Sequence, residues 1–152
     1  MLELVVFVGL PGSGKSSFYR ARFAATHAQV SKDLFRNNRR PARRQRQLIT
    51  EALEAGQSVV VDNTNPTADE RAELLALGRA WGVRCVGYAF VAGVRECLER
   101  NARREGRARV PDVAIFATRA RLSWPRLEEG FDALFVVRLE GSGWQVEAGE
   151  VT

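Results

Sequence analysis

Four residues near the amino terminus stand at a spacing that phosphate chemistry uses. They are Gly9, Gly14, Lys15 and Ser16, within the stretch V-V-F-V-G-L-P-G-S-G-K-S-S-F over residues 5–18. They fit G-x-x-x-x-G-K-S/T between an apolar strand and a helix. Glycines without a Cβ let several backbone N–H groups converge on one anion. A helix beginning near Lys15 adds the positive end of its dipole. Gly9, Pro11, Gly12, Ser13, Gly14, Lys15, Ser16 and Ser17 are therefore expected to cradle the phosphates of a nucleoside triphosphate such as ATP. Lys15 should reach the terminal phosphates, and the Ser16 hydroxyl should ligate Mg²⁺.

Two further groups carry chemistry. In S-K-D-L-F-R, at residues 31–36, Asp33 and Arg36 are one helical turn apart. Transfer of a γ-phosphoryl group to an alcohol needs such a pair, one group to accept the hydroxyl proton and one to hold an anionic acceptor. On spacing alone, an ordinary salt bridge along a helix face is the favoured account of the pair. In V-V-V-D-N-T-N-P, at residues 59–66, Asp62, Asn63, Thr64 and Asn65 make an Asx-rich turn after a buried strand.

The background charge points to polyanions. The net charge is +5, and Lys15 and Lys32 are the only lysines. Arg36, Arg39, Arg40, Arg43, Arg44 and Arg46 form one cluster; Arg100, Arg103, Arg104, Arg107 and Arg109 form another. Arginine forks suit phosphate oxygens, although an arginine-rich composition also follows from a GC-rich genome or a hot habitat. Cys85, Cys97 and the sole histidine, His27, lack metal-ligand spacing. No structural metal is expected, nor a disulfide. The apolar run at residues 4–8 is too short for a signal peptide or membrane span, so a cytoplasmic chain with no membrane partner is expected.

These residues need a scaffold that brings them together. The sequence, 152 residues long, reads as a single domain over 1–152 with alternating strands and helices. Strands are expected at Leu4–Val8, Ala28–Val30, Ser58–Val61 and Arg84–Val91. Helices are expected over Lys15–Ala25, from Pro41 to Gly56, from Thr67 to Gly82, over Val94–Asn101, and from Pro111 to Leu122. Leu48, Ile49, Ala52 and Leu53 give the second helix its apolar stripe, and Thr67 with Glu70 forms a capping box. Two strands around a Gly-Ser-Gly turn end the pattern. The fold class is α/β, a parallel sheet with helices on both faces. Its active site belongs at the C-terminal strand ends, which gathers Gly9–Ser16, Ser31–Arg36 and Asp62–Asn65.

The P-loop, S-K-D-L-F-R, V-V-V-D-N-T-N-P and R-N-A-R-R-E-G-R-A-R-V-P occur in the order and rough spacing of polynucleotide 5′-kinases. The chain resembles the P-loop kinase modules of the phage and animal polynucleotide kinase–phosphatases. W-P-R-L-E-E-G-F-D-A-L-F-V-V, at residues 124–137, is similar to the tail of the animal modules. The resemblance implies ATP and Mg²⁺ as donor and metal, and a nucleic acid with a 5′-hydroxyl end as acceptor. It implies Asp33 as general base and Arg36 as the holder of the adjacent 3′-phosphate. Asp62 would lie near the metal, Asn63, Thr64 and Asn65 would order the phosphate and acceptor loops, and Arg100 and Arg104 would close as lid arginines on the donor phosphates. Arg103, Arg107 and Arg109 are expected to be solvated lid charges. Two departures stand out. Lys32 occupies a place where the family commonly has arginine, and there is no D-x-D pair of a phosphatase, so 3′-phosphate removal would fall to another protein or not be needed. The competing readings are a small-molecule kinase acting on a sugar, nucleoside or antibiotic, and a non-catalytic nucleotide-binding switch.

Overall fold

A central strand with both faces covered organises the chain. The computed structural model describes residues 1–152 except Arg36 and Ser142. Strand β1 (Glu3–Val8) is buried from Leu4 onward. Its even positions Leu4, Val6 and Val8 pack with Ile49, Leu53, Leu74 and Leu75 on one side. Val5 and Phe7 pack on the other with Phe18, Tyr19 and Phe23. Two-sided burial explains why the strand reads as a continuous apolar run rather than an alternating one.

Around β1 lie β2 (His27–Val30), β3 (Ser58–Val61), β4 (Arg84–Phe90), β5 (Ala133–Glu140) and β6 (Gly143–Ala148). They form one sheet in the order β2-β3-β1-β4-β5-β6. The first five are parallel. β6 returns antiparallel along β5, with Leu139 opposite Trp144, so the hairpin closes an otherwise parallel sheet. Helix α1 (Lys15–Arg22) covers one face; α2 (Pro41–Glu54) and α3 (Ala68–Ala80) cover the other. Helices α4 (Val94–Arg103) and α5 (Asp112–Arg121) build a small third cluster of Cys97, Ile115 and Leu10 beside the P-loop.

Where the chain departs from the sequence reading, packing is the reason. Helix α1 ends at Arg22, short of Ala25, because Phe23 turns into the core. The Ala24 N–H bonds back to the Tyr19 carbonyl at 3.0 Å, and the Tyr19 hydroxyl donates to the His27 carbonyl at 2.6 Å. These contacts start β2 one residue before the expected Ala28. The crossovers reverse direction on either side of β1: β2 and β3 lie to one side, β4 and β5 to the other. Such a switch point opens a crevice at the carboxyl ends of the strands.

Candidate active site

Steric demand fixes the phosphate loop. Gly12 has φ 83° and Gly14 has φ 96°, a left-handed conformation that side chains rarely adopt. A Cβ on Gly12 would also lie 2.6 Å from the Cys97 carbonyl oxygen, so helix α4 is pressed directly against the loop. Arg100 reinforces the contact by donating from Nη1 to the Gly12 carbonyl at 3.1 Å. The Gly9 N–H bonds to the Thr64 carbonyl at 3.1 Å, and the Ser13 N–H to that of Leu10 at 3.1 Å. Ser17 is exposed and lies near Arg20, whose Nη2 donates to its hydroxyl at 3.3 Å.

Lys15 is buried within this loop. Its ammonium donates to the Gly9 carbonyl at 3.1 Å and the Leu10 carbonyl at 2.7 Å, with the Ser13 hydroxyl at 3.4 Å. Burial lowers its pKa to about 8, against the opposing pull of the Asp62 carboxylate; Arg104 lowers it further and Asp33 raises it. Groups from three separate segments therefore act on one ammonium.

The Asp62 carboxylate stands at the end of β3, 5 % exposed. Its Oδ2 accepts from the Ser16 hydroxyl at 2.9 Å and from Gln29 Nε2 at 2.8 Å. The turn that follows is tied inward. Asn63 Nδ2 donates to Gln45 Oε1 at 2.6 Å, while its Oδ1 accepts the Lys32 N–H at 2.8 Å. Asn65, at φ 42°, donates from its amide to the Phe7 carbonyl at 2.8 Å. Both asparagine side chains thus bond to the protein and join the ends of β1, α2 and the turn at Lys32–Phe35.

A cleft of about 330 Å³ opens where these segments meet. The phosphate loop contributes Pro11, Gly12, Lys15 and Ser16, and the turn after β2 contributes Lys32 and Asp33. Asp62, Asn63, Thr64, Asn65, Pro66, Glu70, Arg104, Ala108, Val110 and Arg121 complete its lining. The second member of the Asp33–Arg36 pair lies outside the described residues. The arginines expected in a lid divide: Arg100 and Arg104 are half-buried, whereas Arg103, Arg107 and Arg109 are exposed. Among the described residues no cluster of three or more His, Cys, Asp or Glu side chains is placed to hold a metal ion. No helix among them is long and apolar enough to cross a membrane.

Sequence reasoning missed several residues that build this site. Arg71, fully buried, donates to both Glu129 oxygens at 2.8 and 3.1 Å, to the Asn65 carbonyl at 2.9 Å and to the Ser123 hydroxyl at 3.3 Å. It locks the turn after β3 to the segment W-P-R-L-E-E-G. Asn101, also fully buried, exchanges hydrogen bonds with both the N–H and the carbonyl of Val110 at 2.9 and 2.6 Å, closing the loop between α4 and α5. Glu70 was expected in a capping box with Thr67, and half of that box forms. The Thr67 hydroxyl accepts its N–H at 3.2 Å as a helix cap, but the Glu70 carboxylate pairs with Arg121 instead of turning back to the cap.

A family described as an AAA domain matches residues 4–125. The chain belongs to this family. It is 27 % identical over 136 residues to the bifunctional polynucleotide phosphatase/kinase of Schizosaccharomyces pombe (strain 972 / ATCC 24843), matching over 85 % of this chain but only 32 % of that protein. The chain therefore spans about a third of the length of this curated relative, and its likeness to the kinase modules of such proteins agrees with the sequence reading. A fungal RNA kinase superposes with TM-score 0.70 at 16 % identity, over 92 % of this chain and 39 % of that one. A Janibacter sp. HTCC2649 sugar kinase superposes with TM-score 0.68 at 18 % identity, over 91 % and 86 %. The fold is the α/β P-loop kinase fold, and proteins named for polymeric and for small acceptors share it.

Proposed function

We propose that this chain transfers the γ-phosphoryl group of ATP or another nucleoside triphosphate to the 5′-hydroxyl end of a polynucleotide, DNA or RNA. The observation that carries the reading is the shared cleft. Lys15 and Ser16 of the phosphate loop, the Asp62 carboxylate and Asp33 line one cavity, and Gln45 of the arginine-rich helix α2 accepts a hydrogen bond from Asn63 in the same lining. The polynucleotide phosphatase/kinase of the yeast supports the acceptor class.

In this reading the triphosphate enters the loop and Lys15 exchanges its three resting partners for phosphate oxygens. The Ser16 hydroxyl and Asp62 fit Mg²⁺: both donate oxygen, they stand 2.9 Å apart, and Mg²⁺ characteristically takes one or two carboxylates together with substrate phosphates. When bound there, Mg²⁺ would neutralise charge on the phosphate oxygens. Gln29 fixes the carboxylate's orientation from behind. Asp33 accepts the proton of the attacking 5′-hydroxyl, and Arg36 holds the neighbouring phosphate. Arg104 offers positive charge to the transferring group, while Arg100 holds the loop backbone that receives the donor. Asn63, Thr64 and Asn65 keep donor and acceptor segments in register.

Incubating the protein with γ-labelled ATP, Mg²⁺ and a 5′-hydroxyl oligonucleotide, alongside a panel of sugars, nucleosides and aminoglycosides, tests the reading. Label should appear on the oligonucleotide. Label on a small acceptor alone would establish the small-molecule reading. ATP binding without transfer to anything would establish the switch.

A further inference from the structure

One wall of the cleft has no part in the chemistry above. It carries Pro66, Val110 and two charged groups, Glu70 in the first turn of α3 and Arg121 in the last turn of α5. The two charges pair with each other across 51 residues of sequence. Their side chains are 40 and 56 % exposed. A pair this open to water contributes little to stability and exchanges partners readily. Glu70 joins it although the cap at Thr67 was the partner its position in the helix favours. Arg104, the other arginine lining the cleft among the described residues, acts on the Lys15 ammonium.

We infer that Arg121 is a second acceptor-binding residue, which grips a backbone phosphate of the incoming strand, and that Glu70 occupies its guanidinium until that phosphate arrives. The inference rests on the proposed polynucleotide acceptor. A phosphodiester presents two oxygens to the arginine fork and displaces a single carboxylate from it. Glu70, released, remains beside the positive end of α3, where a carboxylate is stabilised. The exchange makes the wall select for charge: an anionic strand opens the pair, and a neutral acceptor leaves it closed. Arg121 supplies this contact from α5, an element separate from the turn that carries Lys32 and Asp33, so the strand is held by two segments.

The two substitutions have opposite signs, which a purely structural pair would not produce. Binding is measured by titration of a 5′-hydroxyl tetranucleotide, and of its uncharged methylphosphonate analogue, into wild type, Arg121→Ala and Glu70→Gln, with thermal melts to confirm folding. Arg121→Ala should weaken the charged ligand about tenfold, as loss of a charge-assisted contact does, and leave the uncharged analogue and ATP unchanged. Glu70→Gln should tighten the charged ligand about two- to fivefold, by removing the competitor. Both variants shifting in the same direction, equal effects on charged and uncharged ligands, a fall in ATP affinity, or no charge-dependent binding by wild type would each overturn the inference. Transfer by wild type is read in a separate assay. Its absence would refute the proposed reaction, while the titrations still decide the role of Arg121.

Discussion

At the residue scale, Lys15 is the group whose environment says most about its task. Burial holds its pKa at about 8, below the ordinary 10.5. Phosphates placed against it must raise that value, because they favour the ammonium. Above about pH 8 nucleotide binding should therefore draw a proton from solution, and below it should not. Calorimetry at pH 9 in buffers of different ionisation enthalpy reads this directly; binding without proton uptake there would place the phosphates away from Lys15. The same depression affects folding. Between about pH 8 and 10.5 the unfolded chain holds a proton at this site that the folded one lacks, so the destabilisation from burying the charge fades as pH rises through that window. Asp33 makes a different prediction. Asp33→Asn should lower the transfer rate by about 10²–10⁴, the range for losing a general base, with little change in ATP affinity. A collapse of ATP binding instead would assign Asp33 to the donor side.

At the scale of elements, the site depends on struts between segments that are distant in sequence. Arg71 is the principal one, joining α3, the turn after β3 and the segment around Glu129. Arg71→Met should destabilise the fold by about 3–5 kcal/mol, since it leaves a mostly buried carboxylate without its partner. Urea denaturation measures this, and a loss below about 1 kcal/mol would show that water replaces the guanidinium easily. The phosphate loop and the strand–helix alternation were legible in the sequence because their signals are local: glycine spacing, apolar runs, Pro41 opening α2. Arg71–Glu129 and Asn101 were not. An arginine at a core position of α3 reads as a surface charge until its partner, 58 residues on, is brought beside it. Glu70 was misleading for a related reason, because the local capping motif competes with an arginine that only the tertiary fold supplies. Asn63 and Asn65 were legible as a turn, but not as struts, since Gln45 and the Phe7 carbonyl become their partners only once the sheet has formed.

At the scale of the whole molecule, positive charge gathers around the start of α2. Arg39, Arg40, Arg43 and Arg44 surround a shallow surface depression with Asn38 and Gln47 at the start of α2, and Gln45 on the same helix bonds to Asn63 in the cleft lining. If a single strand follows the α2 side, its affinity should fall with salt at a log–log slope of about 0.7 per neutralised phosphate. Replacing Arg39, Arg40, Arg43 and Arg44 together should flatten that slope while ATP affinity stays close to wild type. An unchanged slope would mean that these arginines are solvated surface.

In the proposed reaction, donor phosphate and a polynucleotide 5′-hydroxyl meet in one cleft, with Asp33 as the general base. Single-turnover transfer from γ-labelled ATP to a 5′-hydroxyl oligonucleotide, in wild type and Asp33→Asn, tests it most directly. The account predicts label on the 5′ end in wild type, lost on chelation of Mg²⁺, and slowed by about 10²–10⁴ in Asp33→Asn at saturating ATP. An oligonucleotide that stays unlabelled while a sugar or nucleoside is phosphorylated, or an Asp33→Asn protein that labels it at the wild-type rate, would contradict it.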